Sequence, residues 1–127
     1  MKIEHVAMYV KDLEQMVEFY CKHFNGQRNE KYHNPKTGLE TYFITFESGA
    51  RLELMARPGV TESSEDLWVY GLTHLAMSVG DKETVDTLTN TLIEAGCEHI
   101  SGPRTTGDGY YESCVKDPEG NQIEITV

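Results

Sequence analysis

The chain has 127 residues, of which 39% are hydrophobic and 25% are charged, and its formal net charge is −10. This size suits one compact domain with a real core. The acidic balance argues against nucleic-acid or anionic-membrane binding, which depends on basic patches. No apolar run approaches the ~20 residues of a membrane span. The start of the chain lacks the apolar stretch of a signal peptide, and the three cysteines have no CxxC spacing. We therefore expect a cytoplasmic protein with reduced thiols.

The first part of the chain has the pattern of a strand, a helix and three further strands. Residues 3–10 alternate in the manner of a strand, with His5 on the face opposite the apolar one. Asp12 suits the N-cap of a helix, because its carboxylate can accept from N–H groups of the first turn, and Gly26 suits the helix end. Residues 34–38 have turn composition and separate two strand candidates. The second of these is predicted at 40–47, and another strand follows at 50–55.

The second part repeats this order. A predicted strand at 72–79 leads to a helix that Asp81 caps and Gly96 ends. Residues 102–109 are rich in Gly, Pro and Thr and favour a loop, and the Asp-Pro-Glu-Gly sequence at 117–120 suits a type I turn. The remaining predicted strands lie at 97–100, 110–115 and 122–126.

The most informative feature of the chain is an internal repeat. Residues 5–12 and 74–81 share His, Ala, Met, Val and Asp at the same offsets, and residues 52–54 and 123–125 both place a Glu between two aliphatic residues. Such self-similarity indicates one unit of strand, helix and three strands that occurs twice. A single unit of this size leaves a sheet face and an edge uncovered, so we expect pairing within the chain or across a dimer. The predicted modules are about 1–58 and 71–127, with an acidic linker at about 59–70.

The repeat contributes one His and one Glu from each copy: His5 and Glu53, then His74 and Glu124. Taken singly, each His is more often a surface residue, and each Glu more often belongs to the solvated face of a strand. The four residues stand at matched positions, however, and each lies within an apolar run. A carboxylate there is costly under a covered face unless it is paired or bound to a metal. Two imidazoles and two carboxylates suit a divalent cation such as nickel or zinc, with cobalt, manganese or iron as further candidates.

Longer segments resemble a known family. The opening residues 3–7 and 10–13, with Phe19-Tyr20, and the closing segment 117–124 are similar to the vicinal oxygen chelate superfamily, and the resemblance covers essentially the whole chain. This superfamily includes glyoxalase I, bleomycin resistance proteins, methylmalonyl-CoA epimerase, fosfomycin-modifying enzymes and extradiol dioxygenases. The resemblance implies a single α+β domain of two tandem βαβββ modules, which form a U-shaped mixed sheet around a metal.

Within this superfamily, the ligand order His, Glu, His, Glu is similar to that of glyoxalase I. The resemblance implies that His5, Glu53, His74 and Glu124 bind the metal, and that water completes an octahedron. It implies a lyase or isomerase that converts a 2-oxoaldehyde–thiol hemithioacetal such as that of methylglyoxal to a 2-hydroxy thioester through an enediolate. Glu124 is the first candidate for the general base and Glu53 the second. It also implies a homodimer, with His5 and Glu53 of one subunit facing His74 and Glu124 of the other.

The chain departs from glyoxalase I where that enzyme holds glutathione. Tyr9 stands where an Arg is usual, and Ala56-Arg57 where an Asn is usual. Arg57, Arg104 or Lys116 could replace these anchors, so the thiol stays open. Two alternatives also stay open: another activity of the superfamily, of the epimerase or dioxygenase type, and a binding protein that sequesters a drug or another small molecule without turnover.

Overall fold

The computed structural model describes residues 1–61 and 70–127 of the chain. The chain divides into two compact units, Met1–Ser64 and Glu65–Val127. Among the described residues each unit has one helix and one mixed sheet, which confirms the predicted α+β class. Most of the predicted linker, residues 62–69, lies outside the described residues.

The first unit follows the predicted order, except that two short strands rather than one precede the turn. Its elements are β1 (His5–Tyr9), α1 (Leu13–His23), β2 (Gln27–Arg28), β3 (Tyr32–Asn34), β4 (Leu39–Thr45) and β5 (Arg51–Ala56). The strands pair in the order β1-β5-β4-β2, and β3 pairs with β4. Strand β1 runs parallel to β5, whereas β4 is antiparallel to β5.

Helix α1 covers one face of this sheet. Asp12 caps it as predicted, and its carboxylate accepts from the Gln15 N–H at 3.0 Å. The buried face of α1 packs on β4 and β5, whose inward side chains are also buried. Because strand side chains alternate between faces, the intervening residues of β1 and β5 point away from the helix. The core of the unit comprises Leu13, Met16, Val17, Phe19, Tyr20, Tyr42, Ile44, Leu52 and Leu54.

The end of α1 differs from the prediction. We expected Gly26 to supply the left-handed residue, but Asn25 has the positive φ, at 53°. Asn tolerates this conformation better than other residues with a Cβ. Gly26 is needed for a different reason, since a Cβ there would overlap the Ile44 side chain. The glycine therefore allows the close approach of the chain to β4.

The second unit has the same plan. Its elements are β6 (His74–Ser78), α2 (Lys82–Glu94), β7 (His99–Thr105), β8 (Tyr111–Lys116) and β9 (Gln122–Thr126). The strand order is β6-β9-β8-β7, with β6 parallel to β9 and the other pairs antiparallel. Asp81 caps α2 through the Thr84 N–H at 2.7 Å, and Gly96 follows the helix at φ 96°, as predicted.

Strand β7 contradicts the predicted loop at 102–109. The strand continues through Gly102 and Pro103 to Thr105, and its pairing with β8 shifts register on both sides of Ser101. Such irregularities accommodate a proline, which cannot donate a ladder hydrogen bond. Gly102 is tightly placed, because a Cβ there would overlap the Glu112 carbonyl oxygen. The predicted turn at 117–120 is confirmed by the bond from the Gly120 N–H to the Asp117 carbonyl at 3.0 Å.

Neither helix of the described residues is long and apolar enough to cross a membrane. All three cysteines, which lie within the described ranges, are free thiols. Burial raises the pKa of Cys97 and of Cys114. A raised pKa lowers the thiolate fraction, so these two residues have the character of structural thiols.

The core under α2 contains a pair of hydroxyls whose removal tests the packing. Thr89 and Ser113 are fully or almost fully buried, at 0% and 1% exposure, and their oxygens are 2.6 Å apart. The Thr89 hydroxyl also donates to the Val85 carbonyl at 2.6 Å. We expect Thr89→Val to lower the free energy of unfolding by about 1–3 kcal/mol, because it leaves the Ser113 hydroxyl buried without its acceptor.

The double variant Thr89→Val with Ser113→Ala should regain much of this loss, since it removes both polar groups. Urea unfolding of the parent protein, the single variants Thr89→Val and Ser113→Ala, and the double variant provides the comparison. A double variant as unstable as the sum of the two single variants would contradict this account.

Candidate metal centre

In each unit, the pairing of two parallel strands brings one His and one Glu together. These strands are β1 and β5 in the first unit and β6 and β9 in the second. In the first unit Ala7 is opposite Glu53, and His5 precedes Ala7 by two residues, so both side chains lie on the same face. In the second unit Ala76 is opposite Glu124 in the same register, and His74 again precedes it by two residues. This face is the one that the helix leaves uncovered.

The two pairs have matching geometry. The His5 Nε2 and Glu53 Oε2 atoms are 3.6 Å apart, and the His74 Nε2 and Glu124 Oε2 atoms are also 3.6 Å apart. The two histidine side chains are 40% and 41% exposed, whereas the glutamates are 17% and 23% exposed. The glutamates are less accessible because their strands lie inside the sheets, next to β4 and β8.

The donors of each pair fit a divalent metal. Imidazole nitrogen and carboxylate oxygen bind such ions at about 2.0–2.2 Å, so two donors 3.6 Å apart can occupy two positions around one ion. Within residues 1–61 and 70–127, no group of three His, Cys, Asp or Glu side chains is arranged to hold a metal. Each pair alone therefore supplies two donors.

The first pair is surrounded by a carboxylate, a guanidinium and an aromatic ring. The Nδ1 atom of His5 lies 2.5 Å from Glu4 Oε2, and Arg51 Nη2 lies 2.6 Å from Glu4 Oε1. The hydrogen bond from His5, and then the Arg51 guanidinium, hold the pKa of Glu4 below its usual value. Phe43 stands opposite Glu53 on β4 and contacts the His5 ring edge-on, with centroids 5.4 Å apart.

The second pair has different neighbours. The Nδ1 atom of His74 lies 3.0 Å from the Thr73 hydroxyl. Cys114 of β8 stands opposite Glu124 of β9. Glu112 lies two residues before Cys114, on the same face of β8. Burial raises the pKa of Glu112, and the adjacent Glu124 carboxylate raises it further. The second pair is thus set among acidic and thiol groups, where the first pair has an aromatic ring.

The match of a family model to nearly the whole chain identifies the family. The model described as the Glyoxalase/Bleomycin resistance protein/Dioxygenase superfamily matches residues 2–125. The chain belongs to this superfamily. The resemblance to the vicinal oxygen chelate superfamily, which is the same group, is thereby confirmed.

Solved structures of glyoxalase proteins resemble this superfamily member. Glyoxalase I of Leishmania major, described as trypanothione-dependent, is 25% identical, with a TM-score of 0.78 over 99% of this chain and 86% of that chain. A glyoxalase/bleomycin resistance protein/dioxygenase domain from Frankia sp. is 19% identical, with a TM-score of 0.83 over 100% and 97%. Glyoxalase I from Zea mays is 22% identical, with a TM-score of 0.80 over 98% of this chain and 44% of that chain.

The Frankia and Zea mays structures, at these identities, show the fold alone. No curated protein matches the sequence at a significant level.

The repeat located both His–Glu pairs in this glyoxalase-superfamily chain, but three neighbouring residues were missed. Glu4 and Thr73 each precede a candidate histidine, and Glu112 occupies the open face of β8. The position directly before each repeated His was a signal for the first two. Glu112 has Thr41 as its counterpart in the first unit, so the repeat gave no reason to select it.

Tyr9 and the three cations that could anchor a thiol have different environments. Tyr9 is 46% exposed and shares the open face of β1 with His5. Lys116 binds the Glu98 carboxylate at 3.1 Å, and Arg104 stands opposite Glu112. Arg57 is exposed just after β5. The aromatic residue at position 9 therefore lies on the strand that carries His5, whereas two of the three cations lie beside carboxylates.

The raised pKa of Glu112 makes a prediction about stability. The folded state binds the Glu112 proton more tightly than the unfolded chain does. Glu112 therefore makes folding less favourable as the pH rises above the pKa that this residue has in the unfolded chain. We expect Glu112→Gln to raise the thermal midpoint of the metal-free protein at pH 7, and to have less effect at pH 4. Thermal unfolding followed by circular dichroism at both pH values measures this. An equal effect at both pH values would contradict the assignment.

Proposed function

We propose that this protein is a metal-dependent lyase or isomerase of the glyoxalase I type. The observation that carries the proposal is the repeated His–Glu pair, which has the same 3.6 Å spacing in both units. The likeness to a trypanothione-dependent glyoxalase I over 99% of this chain supports it. The substrate would be the hemithioacetal of a 2-oxoaldehyde such as methylglyoxal, and the product a 2-hydroxy thioester.

We propose His5, Glu53, His74 and Glu124 as ligands of one divalent metal, nickel or zinc in the first place. The ion, when bound, polarises the substrate carbonyl and acidifies the adjacent C–H bond. The protein would act as a homodimer in the cytoplasm, in line with the three free thiols. The donor set, rather than any one residue, is the basis for this assignment.

Glu124 is the proposed general base, with Glu53 as the second candidate. A base must take the proton from the carbon beside the carbonyl and return it to the neighbouring carbon, so it needs a mobile carboxylate close to the substrate. Glu124 lies beside Glu112 and opposite Cys114, in a polar environment, whereas Glu53 lies opposite Phe43.

Metal binding is the first test of this proposal. Calorimetric titration of the stripped protein with Ni²⁺ and with Zn²⁺ should give about one ion per subunit, since the four proposed ligands make one site per chain. His5→Ala and His74→Ala should each abolish tight binding. An unchanged affinity in either variant would remove that histidine from the ligand set.

Turnover by Glu124→Gln is the second test. We expect the rate of thioester formation from a methylglyoxal hemithioacetal to fall by about 10²- to 10⁴-fold, because the amide cannot accept the proton. The exposed residue Glu47, in the connection between β4 and β5, provides a control, since Glu47→Gln makes the same chemical change at a carboxylate outside both pairs. Full activity of Glu124→Gln, with the fold intact by circular dichroism, would exclude Glu124 as the base.

The thiol is best identified by a direct comparison of hemithioacetals. Glutathione, trypanothione and a small neutral thiol differ in charge, and Tyr9 supplies no positive charge at its position. Oxygen uptake with iron, or exchange of the α-proton of a CoA thioester, would instead reveal another activity of the superfamily. A protein that binds no metal and turns over none of these compounds would fit a sequestering role.

A further inference from the structure

The carboxylate of Glu4 joins the candidate ligand His5 to Arg51. One oxygen, Oε2, lies 2.5 Å from the His5 Nδ1 atom. The other, Oε1, accepts from Arg51 Nε at 2.8 Å and from Nη2 at 2.6 Å. The backbone strengthens the same link, since the Arg51 N–H donates to the Glu4 carbonyl at 3.0 Å. Both carboxylate oxygens are therefore held by charged or polar donors.

Arg51 is itself held in place by Phe43. Its guanidinium carbon lies 4.1 Å from the centre of the Phe43 ring, a cation–π geometry. The same ring meets the His5 imidazole edge-on, at an interplanar angle of 89°. The imidazole thus has Glu4 at its Nδ1 atom and Glu53 on the Nε2 side, and it makes a T-shaped contact with Phe43.

The described residues of the second unit lack this arrangement. Thr73 takes the place of Glu4, and its hydroxyl lies 3.0 Å from the His74 Nδ1 atom. By register, Gln122 corresponds to Arg51, and Cys114 corresponds to Phe43. A hydroxyl can donate or accept, so it does not select a tautomer, whereas an ionised carboxylate can only accept.

We infer that Glu4 is a positioning residue, which Arg51 and Phe43 hold so that His5 keeps its proton on Nδ1 and presents an unprotonated Nε2 beside Glu53. A carboxylate behind a ligating histidine fixes the tautomer and the ring orientation and makes the other nitrogen a better donor. The inference deepens the proposed function. Its test by metal affinity rests on that function, whereas its test by the His5 tautomer does not. The inference also distinguishes the two halves of the repeat, because the partner described at the His74 Nδ1 atom is the neutral hydroxyl of Thr73.

The tautomer can be measured without metal. Long-range ¹H–¹⁵N spectra of the stripped protein at pH 8.5 report which nitrogen of His5 carries the proton, with assignment through His5→Ala. We expect the Nδ1–H form in the parent protein. Glu4→Gln should lose this form, because its single amide oxygen accepts from Arg51 and its NH₂ group then donates to Nδ1. Glu4→Ala should show the Nε2–H form that free imidazole side chains favour. An unchanged Nδ1–H form in Glu4→Ala would overturn the inference.

The second arm measures affinity for Zn²⁺ alone by competition with a chelator. We expect the dissociation constant to rise about 10- to 100-fold in Glu4→Ala, the range found for partners of ligating histidines. Thr73→Ala is the matched control at the other histidine and should have a smaller effect. Glu47→Gln controls for the loss of one negative charge. An effect of Glu4→Ala no larger than that of Thr73→Ala would contradict the proposed role.

The two arms separate the inference from the proposed function. If the parent protein binds neither Zn²⁺ nor Ni²⁺, the proposed function fails, while the tautomer measurement still decides the role of Glu4. If Zn²⁺ binds and the His5 tautomer does not depend on Glu4, the inference fails alone. Circular dichroism of Glu4→Ala verifies the fold, and Glu4→Gln supplies a variant with the same shape as the parent residue.

Discussion

The candidate centre depends on the parallel pairing of two strands in each unit, β1 with β5 and β6 with β9. The two strands of each pair are far apart in sequence, and the helix and the other strands connect them. A register shift of one residue would move the glutamate to the face that the helix covers, where an unpaired carboxylate is costly. The apolar neighbours of Glu53 and Glu124 oppose this shift, because both flanking residues of each glutamate are buried in the cores.

The helices and turns were predictable because their signals are local. Asp12 and Asp81 cap helices in the structure as their positions indicated, and Gly96 ends the second helix. The His–Glu pairs were also predictable, since duplication places matched residues at matched register positions. Asn25 and β7 were not predictable in the same way. The glycine at 26 is required by contact with a distant strand, and the proline in β7 is tolerated through register shifts that only the partner strand reveals.

The surroundings of the two pairs could not be predicted from the repeat, because they are where its copies differ. Phe43 and Cys114 occupy equivalent positions opposite the glutamates, and Glu4 and Thr73 occupy equivalent positions before the histidines. None of these residues is needed to form the sheets, so each copy could change there without loss of its core. Divergence at such positions gives two chemically different environments on one inherited framework.

The histidines occupy strands at the ends of the described strand order, whereas the glutamates occupy strands with a neighbour on both sides. An end strand is held by one ladder of hydrogen bonds and opens more readily than an inner strand. An ion shared by both residues of a pair would therefore tie a fraying strand to a stable one. Release of that ion would then be coupled to the opening of the strand. The same opening motion would therefore set both the rate of amide exchange along β1 and β6 and the lifetime of the bound ion.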